Sequence, residues 1–300
     1  MTRSKAGWAA LALCVASTVS AQNSWTAVEQ ALGRTGAAMA GGVVRFSFPR
    51  RDLRVTVDGI QLRPAFALGS WVAFKRVAGG DAMIMGDLVL LESEINPVIS
   101  ALQAGGVEQS ALHNHVLNET PHVMYLHMRG HGKEADLART LRSALALTKT
   151  PMDTTPAQAG GAAATFSLDT AALAGALGYE GKVNGGVWQV GVPRAETIME
   201  LDVEVPPSMG MATAINFQPT DAGRALIAGD FVMTGGEVNR VIRALRANGI
   251  AITSIHSHML EESPRLLFMH FWAHDDAIKL ARGLAAALAE TNSQKPTRKP

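Results

Sequence analysis

Ile95, Val98, Ile99 and Leu102 recur three and four residues apart and are followed by Gly105-Gly106, a spacing that predicts a helix closed by a glycine cap. Val238–Leu245, followed by Asn248-Gly249, repeats the pattern. A stripe of Leu137, Leu141 and Leu145 predicts another helix from about Lys133 to Leu147. Shorter alternating runs, Val44–Phe48, Leu53–Val57, Trp71–Lys75 and Ala82–Leu91, predict strands, with Gly59 and Gly79-Gly80 as turns. Val107–Leu117 and His122–Met128 predict a hairpin between the two helices. Ser24 and Asp169 are placed to cap short amphipathic helices that reach about Leu32 and Leu177. The order of strands, helix, hairpin and helix predicts an α+β fold, a mainly antiparallel sheet with helices packed on one face.

These elements occur twice. A shift of 143 residues lays Gly86–Leu145 on Gly229–Leu288 without a gap, with roughly 24 of about 60 positions identical. The match continues upstream after a one-residue slip, which puts Phe48-Pro49-Arg50 on Val192-Pro193-Arg194. Two copies of a domain-sized unit are too few for a solenoid and predict two tandem homologous domains. Their expected bounds are residues 22–149 and 165–292, joined by a linker at 150–164 that lacks a hydrophobic period. The second copy holds every element of the first, so residues 165–292 are expected to fold alone. Residues 293–300 are expected to be a disordered tail.

The first 21 residues follow other rules. Arg3 and Lys5, the apolar run Trp8–Val19 and the small-residue end Val19-Ser20-Ala21 have the order of a secretory signal peptide. The apolar run is too short to span a bilayer, so the mature form is expected to have no stable membrane span and to lie in the periplasm or outside the cell. Removal of the signal removes Cys14, the only cysteine, and with it thiolate catalysis and thiolate metal sites. It also takes the net charge from +1 to −1. No basic patch interleaved with aromatics occurs, so the expected partner is a small molecule or an envelope component and not nucleic acid.

All nine histidines fall in two windows, 113–131 and 256–274. One reads His113-x-His115, Glu119-x-Pro121, His127 and His131; the other reads His256-x-His258, Glu262-x-Pro264, His270 and His274. His122 faces Arg265 in the other copy and is the histidine least suited to a shared role. Side chains two apart on a strand share a face, so a hairpin centred near Thr120 sets His113 across from His127, with His115 beside them. His256, His258 and His270 repeat that geometry. Three imidazoles with a carboxylate or water suit a divalent metal ion, zinc first, and also iron, manganese or copper. Glu119 and Glu262, at the turns, are placed to act as ligand, as outer partner or as general base. His131 and His274 are either further ligands or residues that open the next helix. A histidine–glutamate hydrogen-bond network that only holds the hairpin is the structural alternative. The string His-x-His-x3-Glu is similar to the first cupin motif, but His127 arrives in the adjoining strand and a helix follows, which excludes a cupin barrel.

Gly86-Asp87 and Gly229-Asp230 precede strands, where each aspartate serves either a turn or a histidine site. Glu94 and Asn96, with Glu237 and Asn239, sit in a first helical turn and read as structural. Trp71, Trp188 and Trp272 read as core.

The chain resembles the secreted bacterial family named after the mycobacterial lipoproteins LppY and LpqO. The resemblance rests on Pro49-Arg50-Arg51-Asp52-Leu53, on Leu68-Gly69-Ser70-Trp71-Val72-Ala73-Phe74, on Gly86-Asp87 and on both histidine hairpins. It departs at Asn118, where the second copy has Glu261, and at Leu13, where a lipoprotein would carry a small residue. The resemblance implies export and a duplicated domain, and it implies no activity. The residues themselves leave two function classes: a metal-dependent exported hydrolase, or a non-catalytic envelope protein that binds a metal or ligand.

Overall fold

The structure is a computed structural model describing residues 24–152, 165–221 and 223–296. The predicted signal segment, most of the predicted linker and the end of the tail lie outside the described residues. The first copy forms a six-stranded sheet in the order Ala37–Met39, Val43–Pro49, Gly69–Arg76, Ala82–Leu91, Val123–Gly132, Glu108–His113. Every pairing in it is antiparallel. The second copy repeats it as Lys182–Asn184, Val187–Pro193, Ala212–Pro219, Arg224–Thr234, Leu266–Asp276, Ala251–His256. The fold is therefore α+β in two tandem units, as the patterning predicts.

Helices cover one face of each sheet. Leu137, Leu141 and Leu145 of Glu134–Leu145 are buried against Val98 and Leu102 of Glu92–Ala104 and against Phe46, Phe74 and Ile84 of the sheet. Asp169 caps Thr170–Leu177 by accepting from the amides of Ala171 and Ala172 at 2.9 and 3.1 Å. Ser24 does not play that part. The matching helix, Thr26–Leu32, has Trp25 at its N-cap with no side-chain hydrogen bond.

The opposite face is where the copies meet. Between the second and third strands of each sheet the chain sends out an arm, residues 50–68 and 194–211. Val55, Val57, Leu62 and Phe66 of the first arm pack against Val187, Leu226 and Ala228 of the second sheet. Ile198, Val205, Met209 and Met211 of the second arm pack against Val43, Ala73, Met83 and Met85 of the first. Polar contacts fix the exchange: Gln218 accepts from the Arg63 amide at 2.8 Å and donates to the Gln61 carbonyl at 2.9 Å.

This exchange corrects one expectation. Leu53–Val57 is not a full strand; only Thr56–Val57 pairs, because the apolar residues of the arm face the other copy instead of a neighbouring strand. Among the described residues, two hydrophobic clusters draw residues from both copies, so each copy completes part of the core of the other. Burial on both faces also explains why Ala82–Leu91 shows no clean alternation: its first nine residues are all buried.

The edge strands meet under a pseudo-two-fold relation. Ser110 donates to the His258 carbonyl at 2.7 Å, and its counterpart Thr253 donates to the His115 carbonyl at 2.8 Å. The relation is broken beside them, where buried Arg129 of the first copy binds fully buried Glu200 of the second.

Candidate metal centre

The hairpin strand Glu108–His113 carries an irregularity between Gln109 and Ala111, so its register differs from the simple expectation. His113 lies opposite Tyr125, and Ala111 lies opposite His127. The strand ends at His113, leaving His115 in the following loop. Alternation still keeps His113 and His127 on one face, because Tyr125 and His127 are two apart. Their rings stack with centroids 4.9 Å apart. The second copy repeats the irregularity, with His256 opposite Phe268 and Ser254 opposite His270.

The face carrying the histidines is the face that meets the other copy, so the two clusters become one. His113 and His256 stack with centroids 3.8 Å apart and His115 and His270 at 3.9 Å, while the His127 and His258 rings are tilted with centroids 3.7 Å apart. Asp87 and Asp230 join them from the neighbouring strands, directly across from His127 and His270. Three sets of residues bring their ligand atoms within 4.8 Å of one another: His113, His127 and His256; His113, His115 and His270; and Asp230, His256 and His258. Two of the three mix the copies.

Hydrogen bonding fixes which ring nitrogens carry protons. A carbonyl oxygen can only accept, so His270 Nδ1, 2.8 Å from the Gly229 carbonyl, is the protonated nitrogen of that ring. His258 Nδ1 likewise donates to the Gly210 carbonyl at 3.2 Å. In the neutral His270 ring, Nε2 then presents a bare lone pair. His270 Nε2 lies 3.1 Å from His113 Nε2. His258 Nε2 lies 3.1 Å from His256 Nε2 and 3.1 Å from Asp230 Oδ2. Imidazole nitrogens and a carboxylate oxygen gathered this closely are donor types that suit a metal ion. Nδ1 of His113 and His256, Nε2 of His127 and Oδ1 of both aspartates are also buried without a hydrogen-bond partner among the described residues.

Burial decides the titration of this cluster. It pushes His115 and His270 down to about 3, with neighbouring imidazoles adding to the effect and Asp230 opposing it. It holds His113, His127 and His256 far below the usual histidine range. These rings are neutral, the form that binds metal. Burial lifts Asp87 to about 6. Burial would lift Asp230 too, but His270 and the hydrogen bond with His258 outweigh it and hold that carboxyl below its ordinary value.

The other candidate residues lie apart from these sets. Glu119 and Glu262 are buried at their turns, where they accept from the amides of Val123 at 3.4 Å and Leu266 at 2.9 Å. Glu262 also binds Arg265, and Glu119 approaches His122 at 3.6 Å. His131 is exposed near the end of its strand, and His274 bonds Thr220 at 3.1 Å. Asp87 and Asp230 are the residues that sequence reasoning undervalued: both are mid-strand and neither makes a turn. Their identity in both copies was the available signal. Tyr125 and Phe268, equivalent positions stacked on His115 and His258 at 3.3 and 3.5 Å, also escaped notice.

The family described as Domain of Unknown Function (DUF1259) matches residues 26–147 and again residues 171–290. No curated protein matches the chain. Among solved structures, the crystal structure of a trimeric bacterial microcompartment shell protein PduB matches at 14% identity over 85% of this chain and 89% of that one, with a TM-score of 0.22. A score so low carries no argument about fold or function.

Proposed function

We propose that this chain, which belongs to the DUF1259 family and carries its domain twice, is an exported metal-binding protein whose copies build one transition-metal centre between them. The observation that carries this reading is the neutral His270 ring, whose Nδ1 is committed to the Gly229 carbonyl while its Nε2 lone pair converges with His113 and His115 in one close set of ligand atoms. That lone pair is free to coordinate a metal ion, and a carbonyl bond on the far nitrogen is the usual support of a ligating histidine. Imidazole and carboxylate donors without thiolate suit zinc, copper, nickel, iron or manganese.

Binding fits the geometry better than hydrolysis. Most of the donors are buried among one another, and the two glutamates suited to a general base hold their own turn amides. Export rests on Arg3, Lys5 and the apolar run before Ala21, together with the resemblance to the LppY and LpqO family. An intact mass of exported protein should correspond to a chain beginning near Gln22, and not to one beginning at a lipid-modified Cys14. No helix among the described residues is long and apolar enough to cross a membrane.

The test is metal retention. Purified protein loaded with zinc, copper, iron or manganese and then desalted should hold metal. His270→Ala should weaken retention by orders of magnitude while the far-UV circular dichroism stays unchanged. Wild-type protein that retains none of these metals overturns the reading and leaves the histidines a structural network.

A further inference from the structure

We propose that the centre takes two metal ions per chain, each held by three residues of one copy and one imidazole of the other. The inference rests on the metal-binding reading above and adds stoichiometry and ligand assignment to it. Two of the three close-packed sets, His113 with His115 and His270, and Asp230 with His256 and His258, share no residue. That alone divides six donors between two positions.

The remaining two donors complete both sets. Asp87 Oδ2 lies 3.4 Å from His115 Nε2, which adds it to the first set. His127 lies with its ring centroid 3.7 Å from that of His258, against 4.9 Å from that of His113 in the first set, which adds it to the second. Each set then has three imidazoles and one carboxylate, a complete tetrahedral shell. The 143-residue shift exchanges them: His113, His115 and Asp87 fall on His256, His258 and Asp230, and His127 falls on His270. The partition therefore obeys the pseudo-two-fold relation between the copies.

A single ion serves only half of these donors. Four ligands satisfy one zinc-like ion, and the other four donors would remain buried with unpaired polar atoms. Nδ1 of His113 and His256 and Oδ1 of Asp87 and Asp230 are already in that condition on both sides of the pseudo-two-fold, not on one.

The experiment is a stoichiometric titration of chelator-stripped full-length protein with zinc and with cobalt, read by elemental analysis and by the visible cobalt bands. Wild-type protein should saturate at two ions per chain. The double variant Asp230→Asn with His258→Ala should saturate at one, and so should Asp87→Asn with His115→Ala, each checked for an unchanged far-UV spectrum. If one variant fails to fold, the wild-type stoichiometry and the other variant still decide the matter. Saturation of the wild type at one ion overturns the two-ion proposal and leaves the metal-binding reading standing. Saturation at two with loss of both ions in a folded variant overturns the ligand partition. No binding at all overturns the metal reading itself.

Discussion

If each arm completes the core of the other copy, cutting an arm contact should destabilise the whole chain at once. Phe66 tests this. It is 2% exposed, lies in the first arm and meets Trp272 of the second copy edge-on, with centroids 6.1 Å apart. Phe66→Ala removes a buried aromatic whose loss costs about 3–5 kcal/mol, including the aromatic pair. The counterpart, Met209→Ala, empties a fully buried site in the first copy's sheet at about 2–5 kcal/mol. The assay is urea unfolding in chelator, followed by tryptophan fluorescence and by far-UV circular dichroism. With a slope near 3 kcal/mol/M, the loss at Phe66 lowers the midpoint by about 1–1.7 M. Wild type and both variants should each show one transition, coincident by the two probes. Two separate transitions, of which a variant shifts only one, would refute the shared core. So would a Phe66→Ala midpoint within a few tenths of a molar of wild type.

Three further expectations follow from particular contacts. Arg194 holds Glu237 at 2.8 Å and Glu196 at 2.7 Å, and although burial opposes it, both carboxyls sit below their ordinary values. A carboxyl depressed on folding adds stability above its unfolded value and loses it as the pH falls through the folded one, so the urea midpoint should drop below about pH 5. Glu237→Gln should flatten that slope, and an unchanged slope would count against the pair. A methyl group at Gly229 would stand 2.0 Å from the Ala214 carbonyl and 2.6 Å from the Phe271 ring, so Gly229→Ala should cost at least about 1–3 kcal/mol and weaken metal retention through Asp230. A variant with wild-type stability and metal content would refute it. The Tyr125 hydroxyl is buried without a hydrogen-bond partner among the described residues, so Tyr125→Phe should stabilise the metal-free protein by about 1 kcal/mol. A lower melting temperature would show that the hydroxyl is engaged.

Much of the fold was legible because it depends on local periodicity. Val98, Leu102, Leu137 and Leu141 face the core as their spacing requires, and the duplicated hairpins place His113 beside His127 despite the shifted register. Asp87 was harder to read because its strand is buried on both faces, so no alternation marked which side chains look towards the histidines. Convergence of the two clusters was not legible at all. It depends on Phe66, Met209 and their neighbours docking on the opposite copy, and nothing in a hydrophobic pattern says whose surface a hydrophobic residue covers.

The exchanged arms have a consequence for ancestry. A chain with one copy and the same arm would leave its sheet face bare unless a second molecule supplied the cover, which makes the self-sufficient ancestor of this architecture a symmetric dimer. Joining the two halves in one polypeptide ends the obligation that both sides of the seam be encoded by the same residues. Glu200 opposite Arg129, where the first copy has Val57, and Tyr125 where the second has Phe268, are differences that a dimer of identical subunits could not hold on one side alone.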